Sequence, residues 1–259
     1  MEKRFFGTAL PATERTDFPN NDGSSLVVFP EAVMFQFTEP AATIAAAAQQ
    51  HSAVFEAALQ AYAERYRVAI VAGLYLPSST AGRSRNVLSL LRPDGAAPIH
   101  YDKLHHYDAF NFVESEKHDR VPLKPDYEEL VVFECDGIKF GLLNCYDLRF
   151  PEMSRLLIEK GADVLLVASG WVAGPLKALQ WETLARARAI ENTCYVVACC
   201  QPAPHSVGMS MIVDPMGAVI AGVHWNAAYV RTILPCVSQR RYMLIDTNAE
   251  QCEVRNGVR

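Results

Sequence analysis

The chain has 259 residues, of which 50% are hydrophobic and 20% are charged, so it has enough apolar side chains for a sizeable core. Its formal net charge is -5, and its lysines and arginines are scattered along the sequence, which argues against a general nucleic-acid binder. No stretch approaches the roughly 18–20 apolar residues of a membrane-spanning helix, so we expect neither a nucleic acid nor a membrane as a partner.

The first elements that the sequence predicts are a strand, a long helix and a second strand. The apolar run SSLVVFPE (24–31) is typical of a short buried strand. The alanine-rich segment 39–66 predicts a helix, and Pro40 is suitably placed for its first turn. The run RVAIVAGLYL (67–76) predicts the next strand.

Two hairpins follow. Segment 86–103 contains two strand-like runs separated by a Pro-Asp-Gly turn, and segment 129–145 contains two more about Asp136-Gly137. Both predictions depend on turn residues placed between apolar runs.

From Pro151 onwards helices and strands alternate. The sequence predicts a helix ending at Gly161, a strand over 163–169 and a longer helix over 176–192. A strand over 194–200 and a hairpin over 209–221 follow. Hairpins mixed with β–α–β segments predict a mixed sheet layered with helices, in a single domain over 1–259. The segment after residue 222 gives no clear pattern.

The seven cysteines lack the spacing of a disulfide framework, and no CxxC pair occurs. Reduced thiols in the cytoplasm are the simpler interpretation, and a metal site is not expected. The start MEKRFFGTALPATERTDFP also lacks the apolar core of a secretory signal.

Three polar side chains lie at the ends of apolar strand-like runs: Glu31, Lys103 and Cys145. Groups at the carboxyl ends of strands can meet in a common cleft of an α/β sheet. Each residue alone also has an ordinary explanation. A cysteine at a strand end is most often a small buried hydrophobe, and a single lysine is usually solvated.

Their sequence context resembles the carbon–nitrogen hydrolase (nitrilase) superfamily. The similar blocks are LVVFPE, YDKLHHYD and GLLNCYDLRFPE, and the likeness continues through MSMIVDPMGAVIAG, covering roughly residues 24 to 222. CYDLRFPE and WETLARARAIEN resemble the branch of ω-amidases and deaminated-glutathione amidases. The resemblance implies a four-layer α–β–β–α sandwich, a homodimer or larger homo-oligomer, a small amide substrate and no cofactor.

The resemblance also implies roles for individual residues. Cys145 matches the nucleophile of the family, Glu31 its general base and Lys103 its oxyanion-stabilising lysine. A second glutamate of the family lies between the lysine and cysteine blocks. Glu114 is the better match for it, and Glu116, two residues away, is the alternative.

These residue types suit amide hydrolysis. A thiol is a soft nucleophile that can form a covalent acyl intermediate, and a carboxylate at Glu31 can accept its proton. The ammonium group of Lys103 and the backbone N–H of Tyr146 would then face the oxygen anion of the tetrahedral intermediate.

The residues after the nucleophile have two interpretations. Asp147 and Arg149 are placed to form a charge pair that holds the turn, although Arg149 alternatively binds an acidic substrate. Trp171 either lines the acyl pocket or packs in the core, whereas Trp181 and Trp225 are expected in the core or an interface. A rival mechanism pairs the cysteine with His105 or His106.

The sequence therefore predicts a Glu–Lys–Cys amidase that cleaves a small linear carboxamide, with a carboxylate at its far end, and releases ammonia. The alternatives are N-carbamoyl hydrolysis, nitrile hydrolysis, acyl transfer to an amine, or a catalytically silent relative that binds a ligand or a protein. The region before residue 24 departs from the family, because it lacks the expected first helix. We expect this shortened region to affect one flank of the fold and its oligomer contacts.

Overall fold

The computed structural model describes residues 24–109, 112–222, 229–232 and 242–246. It contains two six-stranded sheets and one two-stranded ribbon. The strands, in chain order, are β1 (Ser24–Val28), β2 (Ala69–Pro77), β3 (Ser84–Leu91), β4 (Ile99–Asp102), β5 (Asp108–Ala109), β6 (Phe112–Val113), β7 (Val132–Cys135), β8 (Ile138–Asn144), β9 (Val164–Ser169), β10 (Tyr195–Cys200), β11 (Met211–Val213), β12 (Val219–Gly222), β13 (Tyr229–Thr232) and β14 (Tyr242–Asp246).

The first sheet has the strand order β13-β14-β1-β2-β3-β4. Strand β1 is parallel to both β2 and β14, whereas β3 is antiparallel to its neighbours β2 and β4. Consequently β1, β2 and β4 all run in the same direction, and the segments that follow them leave from the same edge of the sheet.

The second sheet has the order β12-β11-β10-β9-β8-β7. Its central strands β8, β9 and β10 are parallel, and each is nearly or fully buried along its length. Parallel strands covered on both faces form continuous apolar runs, which is why the sequence predicted them well.

Among the residues that the structure describes, three α-helices cover the outer faces: α1 (Ala41–Tyr66), α2 (Pro151–Glu159) and α3 (Lys177–Asn192). Helix α1 begins directly after Pro40, and Pro151 occupies the first turn of α2 with Glu152 beside it. A proline suits this position because its missing N–H would have no partner inside the helix.

Two hydrophobic clusters fix the order of the layers. In one, Ile44 and Leu59 of α1 pack against Ile70 and Leu74 of β2. The other joins the two sheets, where Val71 and other side chains of the first sheet meet those of the second, and it continues to the buried faces of α2 and α3. The described residues therefore form helix, sheet, sheet and helix layers, as predicted.

The departure from the family that was predicted before residue 24 lies outside the described residues, as does Trp225. Of the segment after residue 222, the structure describes β13 and β14, and β14 completes the first sheet beside β1. Within the described ranges, no helix is both long and apolar enough to span a membrane.

Candidate active site

The residues singled out in the sequence meet in one cleft between the ends of the two sheets. The empty space in and in front of the cleft is about 500 Å³, open solvent included, and the lining includes Glu31, Lys103, Glu114 and Cys145. Glu31 follows β1, Lys103 directly follows β4 and Cys145 directly follows β8. The cleft therefore lies at the carboxyl ends of strands from both sheets, where open α/β sheets commonly place ligands.

Lys103 lies between the two carboxylates of the cleft. Its Nζ is 2.8 Å from Oε1 of Glu31 and 2.8 Å from each carboxylate oxygen of Glu114. All three residues are at least 95% buried. Burial alone would lower the pKa of the Lys103 ammonium, but the carboxylates of Glu114 and Glu31 reverse this effect and raise that pKa well above its usual value. Lys103 is consequently a permanent cation at working pH.

A second donor links the same carboxylates. Nδ2 of Asn86 donates to Oε1 of Glu31 at 2.9 Å and to Oε1 of Glu114 at 3.0 Å. Oε2 of Glu31 receives one hydrogen bond from the described residues, from the backbone N–H of Gly170 at 2.8 Å. Oε2 of Glu31 is therefore the oxygen best able to accept a further proton.

The backbone around Glu31 is held closely. A side chain on Gly73 of β2 would place its Cβ only 2.4 Å from Cα of Glu31, so this approach requires glycine. Nε2 of Gln201 donates to the carbonyl oxygen of Glu31 at 2.6 Å and to that of Ala32 at 3.1 Å. Ala32 itself has a positive φ of 57°. Contacts from both sheets thus fix the direction of the carboxylate.

Cys145 begins a short 3-10 turn, Cys145–Arg149, and has a φ of 50°. The left-handed region costs an ordinary residue roughly 1–2 kcal/mol, so the neighbouring contacts must hold it there. The fully buried carboxylate of Asp147 supplies them. It accepts hydrogen bonds from the hydroxyl of Tyr101 at 2.7 Å and from the backbone N–H groups of His105 at 2.9 Å and Asn144 at 3.1 Å.

The thiol of Cys145 is neutral in this setting. Burial raises its pKa well above its usual value, the Glu31 carboxylate raises that pKa further, and Lys103 opposes the shift. A protonated thiol needs a base at the moment that it attacks. The raised pKa of the thiol therefore argues against a thiolate formed in advance, so an attack by this sulfur would need proton transfer during the same step.

The rival pairing of Cys145 with a histidine gains no support. The ring of His105 stacks on Phe150 at 3.6 Å and its Nδ1 lies 2.9 Å from Asp147. Neither His105 nor His106 lines the cleft. His105 belongs instead to the support of the turn that follows Cys145.

The two glutamates near residue 115 lie in different environments. Glu114 is 4% exposed and, besides Lys103 and Asn86, accepts the backbone N–H of Tyr107 at 2.8 Å. Glu116 is exposed. Only Glu114 therefore reaches the cleft.

Arg149, Tyr146 and Trp171 also line the cleft. The predicted charge pair of Asp147 and Arg149 is wrong, because Asp147 is occupied as described above and Arg149 points elsewhere. The guanidinium donates to Oε1 of Gln180 at 2.6 Å and lies over the rings of Trp171 at 5.0 Å and Tyr146 at 5.7 Å. Its charge is thus presented beside the cleft.

The tryptophans are divided as follows. Trp171 is 4% exposed and lines the cleft while its indole N–H donates to the carbonyl oxygen of Lys177. Trp181 is fully buried in the core.

In the part of the chain that the structure describes, no group of three acidic, histidine or cysteine side chains is arranged to hold a metal ion.

Sequence reasoning missed several residues that build the cleft: Gly73, Tyr75, Asn86, His118, Gly170 and Gln201. All of them except His118 lie within or beside an apolar strand, where nothing in a single sequence separates a site residue from a core residue. His118 lies in the polar segment that follows Glu114–Glu116, where a histidine is ordinarily expected to be solvated. The one available signal is that Asn86 and Gln201 are amides at strand positions that the apolar pattern marks as buried, which requires a hydrogen-bond partner.

Comparison with known proteins supports the family resemblance of the residues that form the cleft. The model of the carbon-nitrogen hydrolase family matches residues 6–234. A deaminated glutathione amidase from Escherichia coli O157:H7 is 35% identical over 230 residues, which are 84% of this chain and 85% of that protein. The protein of the same name from Synechocystis sp. PCC 6803 (strain GT-S) is 34% identical over 224 residues, or 81% and 79% of the two chains.

A solved structure agrees with these relatives. The CN-hydrolase superfamily protein XC1258 from Xanthomonas campestris, which carries an arsenic adduct in its active site, superposes with a TM-score of 0.67 at 28% identity. The match covers 80% of this chain and 77% of that one. In sequence and in fold, the chain belongs to the carbon–nitrogen hydrolase family, whose members include amidases.

Proposed function

We propose that the protein is an amidase that hydrolyses a small linear carboxamide through a thioester on Cys145 and releases ammonia. The observation that carries this proposal is the contact of Lys103 with both Glu31 and Glu114 in the cleft that Cys145 lines. A buried cation between two carboxylates beside a thiol supplies a base, an electrophilic donor and a nucleophile together.

In the acylation step, Glu31 takes the proton of the Cys145 thiol as the sulfur attacks the amide carbon. The ammonium of Lys103 and the backbone N–H of Tyr146 stabilise the oxygen anion of the tetrahedral intermediate. Glu31 then returns the proton to the departing nitrogen, the C–N bond breaks, and ammonia leaves behind a thioester.

Deacylation reverses these roles. Water attacks the thioester carbon while Glu31 accepts its proton, the C–S bond breaks, and the proton passes to the sulfur of Cys145. The carboxylic acid then leaves and the resting thiol is restored. Throughout, Glu114 holds Lys103 in position through both of its oxygens and keeps the ammonium charged.

Arg149 supports a substrate with a carboxylate at its far end. Its guanidinium lies beside the cleft, and charge-assisted hydrogen bonds of arginine favour carboxylates. The names of two relatives, deaminated glutathione amidase, support amide cleavage over nitrile or N-carbamoyl hydrolysis.

A substrate panel tests this assignment. Ammonia release is measured with succinamate, propionamide, an N-carbamoyl amino acid and a nitrile, using wild type, Arg149→Met and Arg155→Met. We expect succinamate to be the best substrate. We expect Arg149→Met to lower its kcat/KM by about 10–100-fold, because a hydrogen bond to a charged group contributes roughly 1.5–3 kcal/mol, and to leave propionamide unchanged.

Arg155 is the matched control, because it is an exposed arginine of α2 that does not line the cleft. Its guanidinium donates to the carbonyl oxygen of Glu191 on α3. Equal or better turnover of propionamide by wild type would contradict the acidic substrate. Turnover of the nitrile or the N-carbamoyl compound alone would contradict the amidase. Binding without turnover of any compound would favour a silent relative.

We also propose that the protein forms a homodimer or a larger homo-oligomer. Three large apolar side chains support this on one side of the second sheet: Leu179 and Ile190 of α3 are 61% and 55% exposed, and Met216 in the turn between β11 and β12 is 85% exposed. Light scattering should give at least twice the monomer mass of 28.7 kDa. A monomer at micromolar concentration would contradict the proposal.

A further inference from the structure

A tyrosine hydroxyl that the proposed mechanism does not use lies at the floor of the cleft. Tyr75 is 1% exposed and lines the cleft, yet its hydroxyl forms no hydrogen bond with any residue that the structure describes. A hydroxyl that faces a cleft and has no protein partner can form its hydrogen bond with a group that enters the cleft. A hydroxyl at this position is therefore expected to meet an acceptor that enters the cleft.

The hydroxyl stands on the same side of the cleft as Glu31. Tyr75 lies directly opposite Asn86 in the pairing of β2 with β3, so the two side chains leave the same face of the sheet. The amide of Asn86 bonds to both carboxylates. Gly73, two residues earlier on the same face of β2, makes the close approach to Glu31. The backbone N–H of Tyr146, in contrast, lies in the short turn that follows β8 of the second sheet.

The charge state of Tyr75 is fixed by its neighbours. Burial raises the pKa of the phenol well above its usual value, and the carboxylates of Glu31 and Glu114 raise it further. The hydroxyl thus keeps its proton throughout the working pH range and is available as a donor.

The ring is held from its other side. It stacks on the imidazole of His118, with ring centres 5.0 Å apart and planes 7° from parallel, and Nδ1 of His118 lies 2.8 Å from Oγ of Ser84. Burial and the nearby Lys103 ammonium lower the pKa of His118 to about 3, so this ring adds no charge beside Lys103. The position of the hydroxyl is therefore well defined.

We propose that Tyr75 is a further catalytic residue, whose hydroxyl holds the water that hydrolyses the acyl-enzyme beside Glu31. The water accepts the hydrogen bond of Tyr75 and donates one of its own protons to Glu31. Its remaining lone pair attacks the thioester carbon, the C–S bond breaks, and the proton from Glu31 ends on the Cys145 sulfur. The inference rests on the proposed thioester mechanism and assigns the hydroxyl to its second half only.

The two halves can be measured separately. With enzyme in excess over succinamate, rapid quenching followed by mass spectrometry records the formation and decay of the acyl mass on Cys145. We expect Tyr75→Phe to form the acyl-enzyme at the wild-type rate and to lose it about 10–100-fold more slowly, since a misplaced reactant of this kind can cost on the order of 10²-fold. In the steady state, kcat and KM should fall together while kcat/KM stays unchanged.

Tyr195→Phe is the matched control. Tyr195 begins β10 and pairs with Val164 at the start of β9, at the opposite end of the second sheet from Gly170. It should change neither rate. Tyr75→Phe should have a Tm equal to or above that of wild type, because it removes a hydroxyl without a partner.

Three results would overturn the inference. Equal slowing of acylation and deacylation would make Tyr75 a donor to the oxygen anion instead. If the acyl mass of Tyr75→Phe decays at the same rate as that of wild type, Tyr75 has no role in deacylation. A lowered Tm with normal rates of acylation and deacylation would show that its role is structural. If wild type itself forms no acyl mass on Cys145 with any amide, the proposed function falls as well.

Discussion

Replacing Cys145 with alanine is expected to abolish ammonia release, with a loss in kcat on the order of 10⁴-fold or more, as for other enzymes that lose their nucleophile. The substitution removes the sulfur that forms the thioester in the proposed mechanism, and neither Glu31 nor Lys103 can replace it. The test compares ammonia release by wild type and Cys145→Ala on the best amide of the panel.

The control for this variant is Cys194→Ala. Cys194 is a buried cysteine that precedes β10, and burial raises its pKa to about 12, so it is an unreactive packing group. This variant should retain its activity. Turnover that survives in Cys145→Ala would reject Cys145 as the nucleophile, whatever the fold implies.

Replacing Lys103 with methionine is expected to damage both activity and stability. The side chain is of similar length, but Glu31 and Glu114 would remain buried without their shared cation. Removing one partner from a buried ion pair typically costs about 3–5 kcal/mol. Losing an oxyanion donor lowers kcat on the order of 100–1000-fold. Denaturant unfolding and ammonia release measure the two effects.

Two further variants separate the causes. Lys139→Met changes an exposed lysine on β8 and should alter neither quantity. Adding Glu114→Gln to Lys103→Met removes one uncompensated carboxylate, so we expect the double variant to regain part of the lost stability but none of the activity. A Lys103→Met protein as stable as wild type would contradict the ion-pair account.

The pH dependence of this stabilisation follows from the raised pKa of Lys103. Because the folded-state pKa lies above the unfolded value near 10.4, the contribution is fully present below that pH. It is lost only as the pH rises through the folded-state value. Between about pH 6 and pH 9, denaturant unfolding should therefore show no decrease in the stability difference between wild type and Lys103→Met. The difference can only grow as the pH rises in this range, because carboxylates buried without a cation resist losing their protons.

Much of the fold follows from local sequence patterns. Strands β9 and β10 are apolar along almost their whole length, and β8 is apolar from Phe140 to Leu143. The predicted turns at Asp94-Gly95 and Asp136-Gly137 separate strands that do pair in the structure. Helix α1 differs from its predicted range only at its start, since Pro40 precedes the first helical residue. These features depend on neighbouring residues, which a single sequence displays directly.

Long-range pairing is harder to predict. No local pattern indicates that β14 lies parallel to β1, because about 215 residues separate the two strands and no turn links them. For the same reason Asn86 and Gln201 were not predicted as site residues, because both donate hydrogen bonds to Glu31, which is distant from them in sequence. Arg149 was predicted to pair with Asp147 because the two are close in the chain. The short 3-10 turn instead directs Asp147 inwards to Tyr101 and His105, and Arg149 outwards to Gln180.

The most direct test of the proposed thioester mechanism is to identify the residue that carries the acyl group during turnover. Wild-type protein turning over succinamate is quenched in acid, digested and mapped by mass spectrometry. We expect the mass of the acyl group on the peptide containing Cys145, and we expect it to disappear once the substrate is exhausted. An acyl group on any other residue, or steady ammonia release with no adduct at any quench time, would contradict this mechanism.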